Sequence, residues 1–117
     1  VPRLFDGELP ALNVGTNNGA SCAPELAAAV MGAIPHDDAV LNGRFRGGWM
    51  TRNYGRPDRR VHAIQMEIAM RAYLDEPEGE LSEGNWPPAY THDHAADTRA
   101  ILADILNAAQ HFAEGSS

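Results

Sequence analysis

Glu67 is the residue of this sequence best placed to move a proton. In residues 61–68, alternation puts Val61, Ala63, Gln65 and Glu67 on one side of an extended strand and His62, Ile64, Met66 and Ile68 on the other. A carboxylate flanked by Ile64, Met66, Ile68 and Ala69 is expected to have its charged form disfavoured, which suits a general base or acid. The plainer alternative is a glutamate that pairs with a nearby arginine. Arginines are at hand: Arg44, Arg46, Arg52, Arg56, Arg59 and Arg60 fall within residues 44–60, whose only acid is Asp58, a net of +5. The rest of the chain holds three Arg against 15 acids, a net of −12. All nine basic residues are Arg, whose planar forks match carboxylate or phosphate. A small anion fits this distribution; a nucleic acid does not, because the acidic remainder would repel phosphate at long range. On charge alone, a solvated loop paired with Asp75, Glu76, Glu78, Glu80 and Glu83 stays open as the bland reading.

Residues 42–48 (Asn-Gly-Arg-Phe-Arg-Gly-Gly) set Arg44 and Arg46 two apart, on one face if extended, with glycines that let backbone come close to a ligand. The run matches neither the dinucleotide nor the phosphate-loop signature. Residues 51–55 (Thr-Arg-Asn-Tyr-Gly) add donors beside it. His92 and His94 could share a metal ion, but no third ligand is evident and Asp93 between them reads as a helix cap. His36 with Asp37 and Asp38 reads as a turn, and His62 as a satisfied buried imidazole. The single Cys22 can form neither an internal disulfide nor a CxxC site, and with no basic helper it reads as structural rather than nucleophilic.

These residues need elements to hold them. Residues 12–16 read as a strand running into an Asn17-Asn18-Gly19 turn, followed by a helix capped by Ser21 or Cys22, with Pro24 in its first turn and Leu26, Ala27, Val30, Met31 and Ile34 on its apolar side. Ala39, Val40 and Leu41 read as a buried strand, and Trp49, Met50 and Thr51 as a second short one. The strand holding Glu67 converts to helix near Ile68. Residues 75–92 read as an exposed acidic, proline-rich loop. A terminal helix, capped by Thr91 or Asp93, then runs over 93–114 with Ile101, Ile105, Ala108 and Phe112 as its buried stripe. Strand and helix in alternation predict an α/β architecture, whose chemistry gathers beyond the carboxyl ends of strands.

The 117 residues are enough for one domain or part of one. Leu, Ile, Val and Phe number only 22, a supply thin enough to suggest that some core comes from elsewhere, either a partner or another part of the same polypeptide. The start at Val1 rather than Met agrees with an excised piece. No apolar run approaches membrane-spanning length and no signal segment opens the chain, so no membrane partner is expected. The lone cysteine suggests a reducing, cytoplasmic setting.

Several segments, in order and at matching spacing, resemble the N-formylglutamate amidohydrolases: Pro2-Arg3-Leu4-Phe5-Asp6-Gly7; Asn13-Val14-Gly15-Thr16 with Gly19-Ala20-Ser21-Cys22; Leu41-Asn42-Gly43-Arg44-Phe45-Arg46-Gly47-Gly48; Thr51-Arg52; Tyr54-Gly55; and Val61-His62-Ala63-Ile64-Gln65-Met66-Glu67-Ile68. The resemblance is close to about residue 76 and loose over the last helix. It implies part of a zinc-carboxypeptidase-like (phosphorylase/hydrolase-like) sheet flanked by helices, a single partial domain over 1–117 corresponding to the carboxyl-terminal half of the family's chain. It implies a metal-dependent amidohydrolase that splits N-formyl-L-glutamate into L-glutamate and formate in histidine degradation. The divalent metal, zinc by the resemblance, would take its ligands from the amino-terminal half, with none in this chain. By the same resemblance Glu67 is the general base, Asn42, Arg44 and Arg52 grip the substrate carboxylates, and Thr16, Tyr54 and Gln65 line the site. Arg46 replaces the family's usual Lys, Trp49 its usual Tyr, and Asn53 its usual His; the last points to another N-acyl amino acid as the alternative substrate. A non-catalytic anion-binding module is the rival outside enzymes. As an isolated piece the chain is expected to be inactive, and either to self-associate through its uncovered face or to be marginally stable.

Overall fold

The computed structural model describes residues 7–35 and 37–115. Residues 2–6 of the first family-like segment, and His36, therefore lie outside the described residues. The elements are β1 (Leu12–Gly15), α1 (Pro24–Gly32), β2 (Ala39–Leu41), α2 (Trp49–Tyr54), a 3-10 turn at Pro57–Arg59, β3 (Gln65–Ile68), a second 3-10 turn at Met70–Ala72, and α3 (His92–Gly115). They form a small mixed α/β unit. The sheet order is β2-β1-β3, with β1 parallel to β2 and antiparallel to β3. Parallel neighbours need a crossover, and α1 supplies it.

Alternation along the strands sends Leu12, Val14, Met66 and Ile68 to one face. There they pack with Leu26, Ala27 and Val30 of α1 and Ile101 and Ile105 of α3. The terminal helix begins at His92 and ends at Gly115, one residue beyond the expected range at each end. Its stripe holds at Ile101, Ile105 and Phe112, whereas Ala109, not Ala108, meets the core in the turn between them. Thr91 is the cap: its Oγ1 accepts from His94 N–H at 3.3 Å. No helix of the described residues is long and apolar enough to cross a membrane.

Three local expectations are corrected. Neither Ser21 nor Cys22 caps α1; the N-cap is Ala23, whose N–H donates to His62 Nδ1 at 3.0 Å. Ser21 Oγ is spent instead on Ala63 O at 2.7 Å, tying the chain before α1 to the approach of β3. Trp49, Met50 and Thr51 open the helix α2 rather than a strand, with Thr51 Oγ1 donating to Gly48 O at 3.0 Å to close its first turn. The regular strand also covers only the second half of 61–68, because the backbone of Val61 bonds to Arg56 and that of Ala63 to Ser21 O. His62 is satisfied as expected but half-buried rather than buried, with Nδ1 accepting from Ala23 N–H and the ring edge-on to Phe112 at 5.1 Å.

Candidate functional site

With both long helices on one face, the opposite face of the sheet is left to polar residues. Asn13 pairs with Val40 on one side and Glu67 on the other, and Gly15 pairs with Gln65, so these five share that face. Residues 43–48 cross it as a strap. Asn13, buried to 5% exposure, grips the strap with both ends of its carboxamide: Nδ2 donates to Phe45 O at 2.5 Å and Oδ1 accepts from Phe45 N–H at 3.2 Å. Further along, Arg46 O accepts from Asn17 N–H at 2.6 Å, and Gly48 N–H donates to Gln65 Oε1 at 2.5 Å. The strap lies so close that a Cβ on Gly15 would stand 2.9 Å from Arg46 C and Gly47 N. Its glycines thus serve a close approach to the protein's own sheet, where the sequence suggested a ligand. Gly47 also has φ +125, a conformation that side chains rarely adopt.

Glu67 lines a cavity of about 130 Å³ under this strap, with Leu9, Pro10, Asn13, Val40, Gly43, Arg44, Phe45 and Ala69 around it. Of the apolar residues beside Glu67 in sequence only Ala69 is a wall, because alternation turns Ile64, Met66 and Ile68 onto the helix face. Leu9, Pro10, Val40 and Phe45 take that part instead. The carboxylate is half-buried, and its Oε1 accepts from Gln65 Nε2 at 2.6 Å. Arg44, an exposed residue of the strap, lines the same cavity. Glu67, Arg44 and Gln65 are thereby gathered at one place.

The other expected site residues lie elsewhere. Thr16 and Asn42 join each other where β1 and β2 end: Asn42 Oδ1 accepts from Thr16 N–H at 2.8 Å and Asn42 Nδ2 donates to Thr16 Oγ1 at 2.8 Å. Asn42 holds φ 51, so its amide works as a clasp on the turn that launches the strap. We expect Asn42→Ala to lower stability by about 2 kcal/mol, read as a lower urea midpoint, since it orphans the buried Thr16 N–H and leaves alanine at positive φ. Arg52 stands exposed on α2, its Nη1 3.5 Å from Gly47 O. Tyr54 lies edge-on to Trp49 at 5.6 Å and lines a second groove with Met50, Thr51, Ala63, Ile64 and Gln65. Among the described residues, no ion pair joins the arginine-rich segment to the acidic stretch 75–83; the salt bridges run from Arg71 to Glu8 and Asp38. The bland pairing of those charges is therefore not how the chain is held.

Asn13 is the site residue that sequence reasoning missed. Its signal was there: one carboxamide inside the apolar run 11–14, at the position facing Glu67. Among the described residues no three His, Cys, Asp or Glu side chains come together as metal ligands, and His94 Nε2 lies 3.1 Å from Arg71 O. The divalent metal that the family resemblance implies thus has no ligand set in these residues. Burial pushes the Cys22 thiol up, against a smaller lowering by a backbone hydrogen bond at Ala27, which keeps thiolate scarce.

Comparison with known proteins converges on one family. The N-formylglutamate amidohydrolase family model matches residues 1–74. The chain is 50% identical over 109 residues to the N-formylglutamate deformylase of Pseudomonas aeruginosa, covering 91% of this chain and 38% of that protein. It is 43% identical over 111 residues to the enzyme of the same name from Pseudomonas putida, covering 92% and 39%. The crystal structure of N-formylglutamate amidohydrolase from Ralstonia eutropha JMP134 superposes with a TM-score of 0.73 at 18% identity, over 98% of this chain and 41% of that one, and shows the shared fold. The chain thus spans about two-fifths of the length of the proteins it matches. By the family model over residues 1–74 and by these identities, this chain belongs to the N-formylglutamate amidohydrolase family.

Proposed function

We propose that the protein carrying this chain is a hydrolase that converts N-formyl-L-glutamate and water to L-glutamate and formate. The observation that carries this reading is the convergence of Glu67 and Arg44 on one cavity of the strapped sheet face, in a chain of this family. Glu67 takes a proton from the water that attacks the formyl carbon and returns it to the amine as the C–N bond breaks. Arg44 supplies two parallel N–H donors to a substrate carboxylate. Arg52, with its Nη1 3.5 Å from the O of Gly47 in the strap, offers a second cation for the other carboxylate. Gln65 and Tyr54 line the groove beside them. A zinc-carboxypeptidase-like sheet and a cytoplasmic setting belong to the same reading, and so does a divalent metal held by residues outside those described.

The test is formate release from N-formyl-L-glutamate by the full gene product, with and without chelator, beside longer N-acyl glutamates. Release that prefers the formyl substrate is expected. A full-length product that releases no formate sinks the reading, and faster turnover of a longer acyl group moves it to the alternative amidase. Arg44→Met is expected to raise KM at least about tenfold with a smaller change in kcat, since it removes a charge-assisted bidentate grip of about 1.5–3 kcal/mol. Steady-state kinetics check this, and an unchanged KM would take Arg44 out of the grip.

A further inference from the structure

We propose that Gln65 is a positioning residue that locks the Glu67 carboxylate to the arginine-bearing strap, so that substrate grip and proton transfer share one register. The proposal rests on the reading of Glu67 as the base. Gln65 stands on β3 opposite Gly15, the one position of β1 without a side chain to block it. Its Oε1 accepts from Gly48 N–H at 2.5 Å, and its Nε2 donates to Glu67 Oε1 at 2.6 Å. The orientation of the amide is fixed by its partners. A backbone N–H can only donate and a carboxylate can only accept, so the oxygen must face Gly48 and the nitrogen must face Glu67.

Two consequences follow from that bridge. First, Glu67 Oε1 is occupied by a donor, which leaves Oε2 as the oxygen for proton work and restrains the carboxylate's rotation. Second, Gly48 ends the strap and precedes α2, so a shift of the strap that carries Arg44 pulls on the same amide that holds the base. A Cβ on Gly48 would sit 3.0 Å from Gln65 Oε1, which shows how little slack the link has. Gln65 does not touch the reacting atoms in this scheme; it acts through Glu67.

Two substitutions in the full gene product separate the halves of the bridge. Gln65→Glu keeps an acceptor for Gly48 N–H but loses the donor to Glu67. Gln65→Met is of similar length and loses both. The expected result is a fall in kcat of about tenfold or more in each, with KM within about threefold of wild type in Gln65→Glu and clearly raised in Gln65→Met. Thermal midpoints are followed alongside, and a merely structural glutamine would lower them without splitting kcat from KM. Glu67→Gln is run in parallel. If that variant is inactive while Gln65→Glu turns over within twofold of wild type, the proposal falls and the base assignment stands. The proposal also falls alone if Gln65→Glu changes KM as much as Gln65→Met does. Full turnover by Glu67→Gln would overturn the base assignment and the proposal with it.

Discussion

Glu67→Gln is expected to cut formate release by about 10²–10⁴-fold while leaving the fold intact. The substitution keeps the size of the side chain, and Glu67 is half-buried on a face where no helix packs, so no cavity opens. A carboxamide oxygen can still accept from Gln65 Nε2, which preserves the link to the strap. What disappears is the basic oxygen. The loss corresponds to about 3–5 kcal/mol of transition-state stabilisation and should fall on kcat, because the substrate carboxylates are held by other groups. Formate release with a circular-dichroism melt on the same sample checks it. Activity within tenfold of wild type, at an unchanged melting temperature, would remove Glu67 from the chemistry.

Gly55→Ala is expected to be the most damaging small substitution for stability. A Cβ at Gly55 would stand 2.5 Å from Ser21 Cβ, 2.6 Å from its Cα and 2.6 Å from its O, which is contact with main chain rather than with a flexible tip. Ser21 cannot step aside. It is 1% exposed, its N–H donates to Thr16 O, its O accepts from Ala63 N–H, and its Oγ donates to Ala63 O. One methyl group thus strains the junction of β1, α1, α2 and β3. A cost of about 3 kcal/mol, at the upper end for overpacking, is expected. Gly32→Ala is the control: at the end of α1 with nothing within 4 Å of the added Cβ, it should stabilise by about 0.5–1 kcal/mol. Urea midpoints of the two variants should therefore move in opposite directions, and a Gly55→Ala midpoint equal to wild type would show that the junction yields.

Much of this arrangement was legible in the sequence because it rests on periodicity. The two-residue alternation of 61–68 placed Gln65 and Glu67 together on a polar face, and the three-to-four-residue spacing of α1 and α3 gave their core sides. Charge alone isolated residues 44–60, which become most of the strap, α2 and the first 3-10 turn. What periodicity could not show was where polar side chains spend their hydrogen bonds. Asn42 and Thr16 read as ligand contacts, yet their bonds go to each other across the ends of two strands. Trp49, Met50 and Thr51 read as a strand by side-chain type, but three residues are too few for a period, and Gly48 ahead of them lets the chain turn into a helix. The walls around Glu67 likewise come, apart from Ala69, from residues 9–13 and 40–45, distant in sequence, which no local pattern announces.

The strap has a consequence for how such a chain can change over generations. It is fastened by main-chain atoms of Phe45, Arg46 and Gly48 and by the carboxamides of Asn13 and Gln65, and in none of these fastenings does an arginine side chain of the strap take part. These bonds therefore set the path of the strap's main chain. Asn13, Gly15 and Gly47 are the positions at which a substitution disturbs the course of the strap itself. A lineage built on this plan keeps the course of the strap only while it keeps these fasteners.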